Sequence, residues 1–399
     1  MYPNLYFAFL DLLGLDLPGL KLINSFGFFV ALAFIVGARI IKMELGRKEG
    51  EGLFRPGEET VVIGAPVSWM DVGLQALTGF LFGWKFVYLL LNADVLFAGG
   101  GLPQAHLFSG EGSIGWGIAL AAVFGGWRYH AASKEALPEP KQVKRTVHVT
   151  EHVGSIVTAA AVGGIAGAKL FHLLEYPDEL VAFFTRPSLA NFLGGLTIYG
   201  GLIVGALSVA WVARKKGMKF LPLADAAAPA LILAYGIGRI GCQVSGDGDW
   251  GIVNDAPKPG WMGWLPDWLW AYHYPNNVNG VGVLIGEGDP WPVFEGFGTY
   301  LQPAVFPTPL YETLMAVVIF GVLWALRRRL QVAGQTFALY LIFNGLERFL
   351  IEQIRVNAKM HALGLTFTQA ELIAVLTFLG GGILWFLLSR QAAKKPAGR

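Results

Sequence analysis

Two short stretches set charged groups inside apolar surroundings. "NGLERFLIEQIRVN" (344–357) places Arg348, Glu352 and Arg355 at i, i+4 and i+7, the spacing of one helical face. "GIGRIGCQVSGDGDWG" (236–251) closes a long apolar run on Arg239, the chain's single cysteine Cys242, and the pair Asp247 and Asp249. An ionisable group in hydrocarbon costs several kcal/mol unless it is paired or wetted, so each one is a functional candidate. Lys85 and Lys169 join the three arginines on that ground, with Asp225, Glu312, Glu347 and Glu352 as carboxylates able to pair with them. A guanidinium is planar, stays charged at any accessible pH and matches two phosphate oxygens at once. A face with two guanidiniums separated by a carboxylate therefore suits an anionic phospholipid head group. Interhelical ion pairing that fixes bundle geometry is the competing explanation for any single residue, and Lys169 in "GAKLFHLLEYP" is explained as well by snorkelling.

Three other features mislead. "GIGRIG" fits G-x-G-x-x-G, but a dinucleotide fingerprint needs a preceding strand and a helix opening after it, whereas an apolar helical run precedes this one. "HVTEH" (148–152) fits H-x-x-E-H, yet it sits at a loop edge with no third ligand in sight, so a solvated loop or helix start is favoured. Cys242 invites reading as a nucleophile, but a small cysteine in a Gly-rich helix is ordinary packing. One cysteine excludes an internal disulfide and a multi-cysteine metal site, and neither a metal nor a cofactor is expected.

The elements that must position these groups are membrane helices. Of 399 residues, 54% are hydrophobic and 15% charged, with a mean hydropathy of +0.51, outside the balance of a water-soluble globular domain. A nucleic-acid partner is not expected. A spanning helix needs about 20 mostly apolar residues, which predicts nine spans at 22–42, 72–92, 112–129, 153–174, 194–213, 222–245, 308–328, 335–356 and 367–389. The fold class is thus an all-α polytopic helix bundle forming one integral-membrane domain over 1–399. Residues 1–21 read as an amphipathic segment on the membrane surface; with no cationic n-region or small-residue cleavage site, they are expected to be retained. Basic residues collect in alternate loops: Arg39, Lys42, Arg47, Lys48 and Arg55; Arg128, Lys134, Lys141, Lys144 and Arg145; Arg214, Lys215, Lys216 and Lys219; Arg327, Arg328 and Arg329; Arg390, Lys394, Lys395 and Arg399. The opposite loops hold only Arg186, Lys258 and Lys359. By the positive-inside rule the N-terminus lies outside and the C-terminus in the cytoplasm. Residues 247–306, rich in Gly, Pro, Trp and Asp, form the largest extracytoplasmic loop region, and 130–150 reads as a polar cytoplasmic linker.

With those residues in place, the sequence resembles the prolipoprotein diacylglyceryl transferase family. The resemblance rests on "SFGFFVALAF" (25–34), "GAKLFHLLEY" (167–176), "LTIYGGLIVGALSVAWVARKKG" (196–217), "ADAAAPALILAYGIGRIGCQVSGDGDWG" (224–251), "FPTPLYE" (306–312) and "NGLERFLIEQIR" (344–355), in the family's order. It implies a multi-pass enzyme of the bacterial cytoplasmic (inner) membrane that moves diacylglyceryl from phosphatidylglycerol to the lipobox cysteine of a prolipoprotein. Its partners would be phosphatidylglycerol, prolipoprotein signal peptides and membrane lipids. Arg239 matches the arginine of the family's G-R-x-G-N signature, expected to hold the lipid phosphate; Arg348 matches a second arginine, supported by Glu352 and Arg355. Asp225 and Glu312 match acidic positions that order the site. Asp247 stands near the signature's glutamate, and Gly251 at its closing glycine.

The departures from that pattern bear on mechanism. Tyr199-Gly200-Gly201 stands where the family has His-Gly-Gly, Cys242 where an asparagine follows the arginine, and Phe26-Gly27 for Tyr-Gly. "GDGDWG" is one residue longer than the family pattern, and 51–150, with two spans, reads as an insertion ahead of a transferase-like core at 150–390. A thiol near pKa 8.5 is only slightly ionised at neutral pH. Loss of the histidine leaves Tyr199 acidified by the arginines, Glu352 or Asp247 to take its proton. A silent lipid-binding subunit related to the transferase is the alternative. A transporter is disfavoured by the missing repeat symmetry.

Overall fold

The computed structural model describes residues 1–96, 106, 109–185, 195–362 and 364–394; Arg186, Lys395 and Arg399 fall outside them. A helix forms at each of the nine predicted spans. After α1 (Leu5–Leu13), capped by the Asn4 side chain, come α2 (Ser25–Gly50) and α3 (Trp69–Phe82), which runs on through a π-helical turn (Gly83–Val87) and Tyr88–Leu91. Then follow α4 (Ile114–Glu135), α5 (Val153–Glu175), α6 (Ile198–Lys215), α7 (Phe220–Ser245), α8 (Thr308–Leu326), α9 (Gln335–Glu352) and α10 (Gln369–Lys394). Among the described residues, seven helices are long and apolar enough to cross a membrane, making this a multi-pass membrane protein; α4 and α9 fall short of that measure. The α9 segment does so because Glu347, Arg348 and Glu352 interrupt it.

Helix α7 is the centre of the bundle. It packs on α2, α8 and α9, and its face toward them carries small residues, among them Ala226, Ala228, Ala230 and Gly236, all buried. Ile232 packs against Ala316, Ile319 and Leu323 of α8, with Phe343 of α9 beside them. At the other end, Leu45, Val153, Ile156, Ala213 and Leu223 join α2, α5, α6 and α7. Helices α5 and α6 form a close pair because glycines meet across it: a Cβ on Gly167 would lie 2.3 Å from the Gly200 carbonyl oxygen, and one on Gly200 equally close to that of Gly167.

Several loop expectations change. The 130–150 linker is not featureless: α4 continues to Glu135, and Lys141–Val147 pairs antiparallel with Gly57–Ile63 in an exposed two-stranded ribbon. "HVTEH" begins a 3₁₀ turn in which Glu151 accepts from the His148 amide at 3.1 Å and from Arg145 at 2.6 Å, which accounts for it without a metal. "GIGRIG" lies wholly within α7. Lys85 is buried and donates to the carbonyls of Ser109 (2.6 Å) and Glu111 (2.5 Å), tying α3 to the segment before α4.

Candidate active site

The end of α7 that carries Arg239 meets the starts and ends of two other helices. Left-handed Gly246 stops α7, its amide closing on the Cys242 carbonyl, and turns the chain so that 247–251 folds back beneath Arg239. Gly251 then touches backbone: its amide donates to Phe306 O at 2.8 Å, and Ile252 donates to Ile354 O at 2.8 Å. A Cβ at Gly251 would lie 2.5 Å from Ile354 O, so only glycine permits this approach. The pairing of Gly251 with Arg355 seats the loop against the residues just past α9.

Three guanidiniums converge there on one carboxylate. Glu312, in the second turn of α8 and fully buried, lies 3.1 Å from Arg239 Nε, 3.5 Å from Arg348 and 3.4 Å from Arg355. Tyr235, one turn before Arg239, donates its hydroxyl to Glu312 at 2.9 Å, lies 3.3 Å from Glu347, and sets its ring 5.3 Å from the Arg239 guanidinium. Asp249 bridges two arginines: it pairs with Arg239 and accepts from Arg355 at 2.6 Å. Glu352 holds Arg348 at 2.9 Å and is itself fixed by Asn357 (2.6 Å) and Thr368 (2.8 Å). Burial alone would raise the Asp249 carboxyl, but Arg239 and Arg355 outweigh it and hold the group at about 2. Burial pushes Asp247 the other way, above its ordinary value. Its carboxylate accepts the Asp249 amide at 3.3 Å.

Not every expected residue belongs to this cluster. Asp225 lies near the start of α7, fourteen residues and about 21 Å of helix rise from Arg239. There its carboxylate accepts the amides of Gly334 (2.8 Å) and Phe337 (2.9 Å) and pairs with Lys48 at 3.4 Å, so it caps α9 from a neighbouring helix. Gly200 and Gly201 face α5 and serve helix packing, with no surface turned to a ligand at Gly200, which is buried. Arg348 and Glu352 share a face as expected, but α9 ends at Glu352, and Arg355 reaches Glu312 from extended chain. Tyr199, in the first turn of α6 and half-buried, is within electrostatic reach of Arg348 and Glu352. Cys242 lies 3.5 Å from Arg239 and 3.6 Å from Asp249. With Asp247 these form a group whose ligand atoms lie within 4.8 Å of one another, but the Arg239 guanidinium already fills a cation's place beside them. Sequence reasoning gave Asp249 and Tyr235 no role and Glu347 only a pairing one.

A family model described as prolipoprotein diacylglyceryl transferase matches residues 113–387, a stretch containing the whole arginine cluster. The chain belongs to the prolipoprotein diacylglyceryl transferase family. Three relatives bear the name phosphatidylglycerol–prolipoprotein diacylglyceryl transferase. The one from Corynebacterium glutamicum is 32% identical over 239 residues, 58% of this chain and 67% of its own. That from Geobacter sulfurreducens is 30% identical over 245 residues, 60% of this chain and 80% of its own. That from Bordetella avium is 28% identical over 247 residues, 60% and 79%. The match begins just before α4 and leaves α1 to α3 outside the matched residues.

Proposed function

We propose that the chain transfers the diacylglyceryl group of phosphatidylglycerol to the lipobox cysteine thiol of prolipoproteins at the outer face of the bacterial cytoplasmic membrane. The observation that carries this is the convergence of Arg239, Arg348 and Arg355 within 3.5 Å of buried Glu312. Glu312 fixes the three guanidiniums, and its burial keeps it in place. Asp249 is the carboxylate a phosphate can replace: it sits on a loop, its side chain is 34% exposed, and it spans Arg239 and Arg355 as two phosphate oxygens would. In the reaction the substrate thiol loses its proton and sulfur bonds to the glycerol carbon. The carbon–oxygen bond to phosphate breaks, and glycerol phosphate leaves with the electron pair. Preorganised guanidiniums stabilise the charge that develops on that leaving group. For the thiol proton, Asp249 at about 2 is a poor acceptor, whereas burial makes Asp247 a better one; Tyr199 lies within electrostatic reach of Arg348 and Glu352.

Purified protein with radiolabelled phosphatidylglycerol and a lipobox peptide tests the reading. Wild type forms the labelled thioether, Arg239→Gln loses at least about a hundredfold in rate, and Asp247→Asn slows transfer most near neutral pH and least at alkaline pH, where the substrate thiol ionises without a base. Unchanged activity in Tyr199→Phe eliminates the tyrosine's role. Phospholipid binding without any transfer by the wild type overturns the enzyme reading in favour of a silent lipid-binding subunit, which the tyrosine at the histidine position would explain.

A further inference from the structure

A second charged site lies at the other end of α7. A cavity of about 300 Å³ opens between the end of α2, the start of α7 and the 327–334 turn, lined by Arg47, Lys48, Glu51, Asp225, Arg328 and Gln331 among others. That volume is at the small end of ligand pockets, enough for a head group and too small for a whole lipid. The cations are not equally engaged. Arg47 is held by Glu44 and Glu51, each at 2.6 Å. Glu44 is itself buried and shared with Arg327 at 2.9 Å. Lys48 is 3% exposed and among the described residues has one contact with a carboxylate, Asp225 at a loose 3.4 Å, while that carboxylate makes its closer bonds to the Gly334 and Phe337 amides. An ammonium has three donors, so a buried Lys48 with one long bond has two left for whatever fills the cavity. Arg328 lines the same space, is exposed, and makes no ion pair with the described residues. Three cations against two carboxylates leave the cavity net positive.

We infer that this cavity binds a phosphate-bearing anion through Lys48 and Arg328, at a site separate from the Arg239 cluster and four helical turns from it along α7. The basic residues around it belong to loops that the positive-inside rule assigns to the cytoplasm, where anionic lipid head groups concentrate and basic interhelical pockets receive them. The ligand is a phosphodiester head group entering from the inner leaflet or a free phosphate from solution, and both present the same oxygens. Lys48 also contacts Asp225, the cap of α9, so the anion sits beside the start of the helix that carries Arg348 toward its far end. The inference does not depend on the transfer reaction.

The test uses the full-length protein in neutral detergent and compares wild type with Arg328→Gln, an exposed change that leaves the fold intact, so the Arg239 cluster is present in both. Bound lipid is counted by native mass spectrometry with phosphatidylglycerol against phosphatidylcholine. Inorganic phosphate is titrated by thermal shift at constant ionic strength. The expected result is one phosphatidylglycerol fewer in Arg328→Gln, or a roughly tenfold weaker phosphate response. Loss confined to the lipid assigns the head group, and loss of the phosphate response as well assigns the bare anion. Arg328→Glu deepens whichever loss is seen. Equal lipid counts together with equal phosphate responses in wild type and both variants overturn the proposal, whether or not the protein is active in transfer.

Discussion

Asp249 is the residue on which the site's behaviour turns. Two guanidiniums hold its carboxyl at about 2, below the ordinary aspartate value near 4. A depressed folded-state pKa gives stabilisation that is complete above the unfolded value and is lost as pH falls through the folded one. Asp249 therefore stabilises the fold fully above about pH 4, and the contribution disappears toward pH 2. Thermal unfolding in detergent between pH 6 and pH 2.5 is expected to show wild type and Asp249→Asn converging at the acid end; curves that stay parallel would mean that the ion pairs contribute nothing. The same substitution frees Arg239 and Arg355 for phosphate. Phosphatidylglycerol is expected to bind Asp249→Asn about tenfold more tightly, and binding that is unchanged or weaker would show that phosphate does not take the Asp249 place. Asp249 is hard to recognise in sequence because an aspartate in a Gly-rich polar loop is ordinarily solvated. Arg239, Arg348 and Glu352 stand out because their apolar surroundings make charge conspicuous, whereas Tyr235 hides as one more aromatic in an apolar run.

Helices decide which of the conspicuous residues can meet. Asp225 and Arg239 lie on one helix, yet 1.5 Å of rise per residue puts them at opposite ends of it, so a sequence motif that spans both spans two sites. At its own end Asp225 accepts two amides from the start of α9. Asp225→Ala is expected to lower stability by about 1 to 2 kcal/mol for the lost cap, and further because Lys48 is left buried without its carboxylate. The KM for phosphatidylglycerol, measured where the variant is folded, stays at the wild-type value. A raised KM with unaltered unfolding would return Asp225 to the lipid site. The α9 face was readable as far as Glu352, because 3.6-residue periodicity holds only while the helix does. Arg355 arrives by backbone pairing with Gly251 instead, a long-range contact that leaves no periodic trace. The Gly200 and Gly201 positions likewise carry a motif's identity while the α5–α6 contact uses them for close packing.

For the molecule as a whole, α7 joins two charged ends through a small-residue core. The Arg239 cluster lies under the 247–306 loop region, which folds around Tyr274, Leu301 and Val305 and is anchored to α7 by the Tyr274 hydroxyl on Gln243 at 2.7 Å and to α8 by Tyr311 on Leu269 O at 2.7 Å. The Lys48 cavity lies at the opposite end, among the basic turns. If the transfer uses a secreted precursor, the first end must face outward and the second inward, and the excess of Lys and Arg at the second end argues the same orientation. The chain's one native cysteine, Cys242, is buried, so single cysteines introduced at exposed sites report topology with little background. Trp264, 80% exposed in the loop region, and Lys144, exposed on the two-stranded ribbon, are suitable positions. In intact cells stripped of any outer membrane, a membrane-impermeant maleimide is expected to label Trp264→Cys and to leave Lys144→Cys unlabelled until the membrane is opened. Labelling of both in intact cells requires an even number of crossings between the two positions. That outcome would take one of α5, α6 and α7 out of the membrane, whereas labelling of Lys144→Cys alone would reverse the orientation and place the arginine cluster on the wrong side for a secreted thiol.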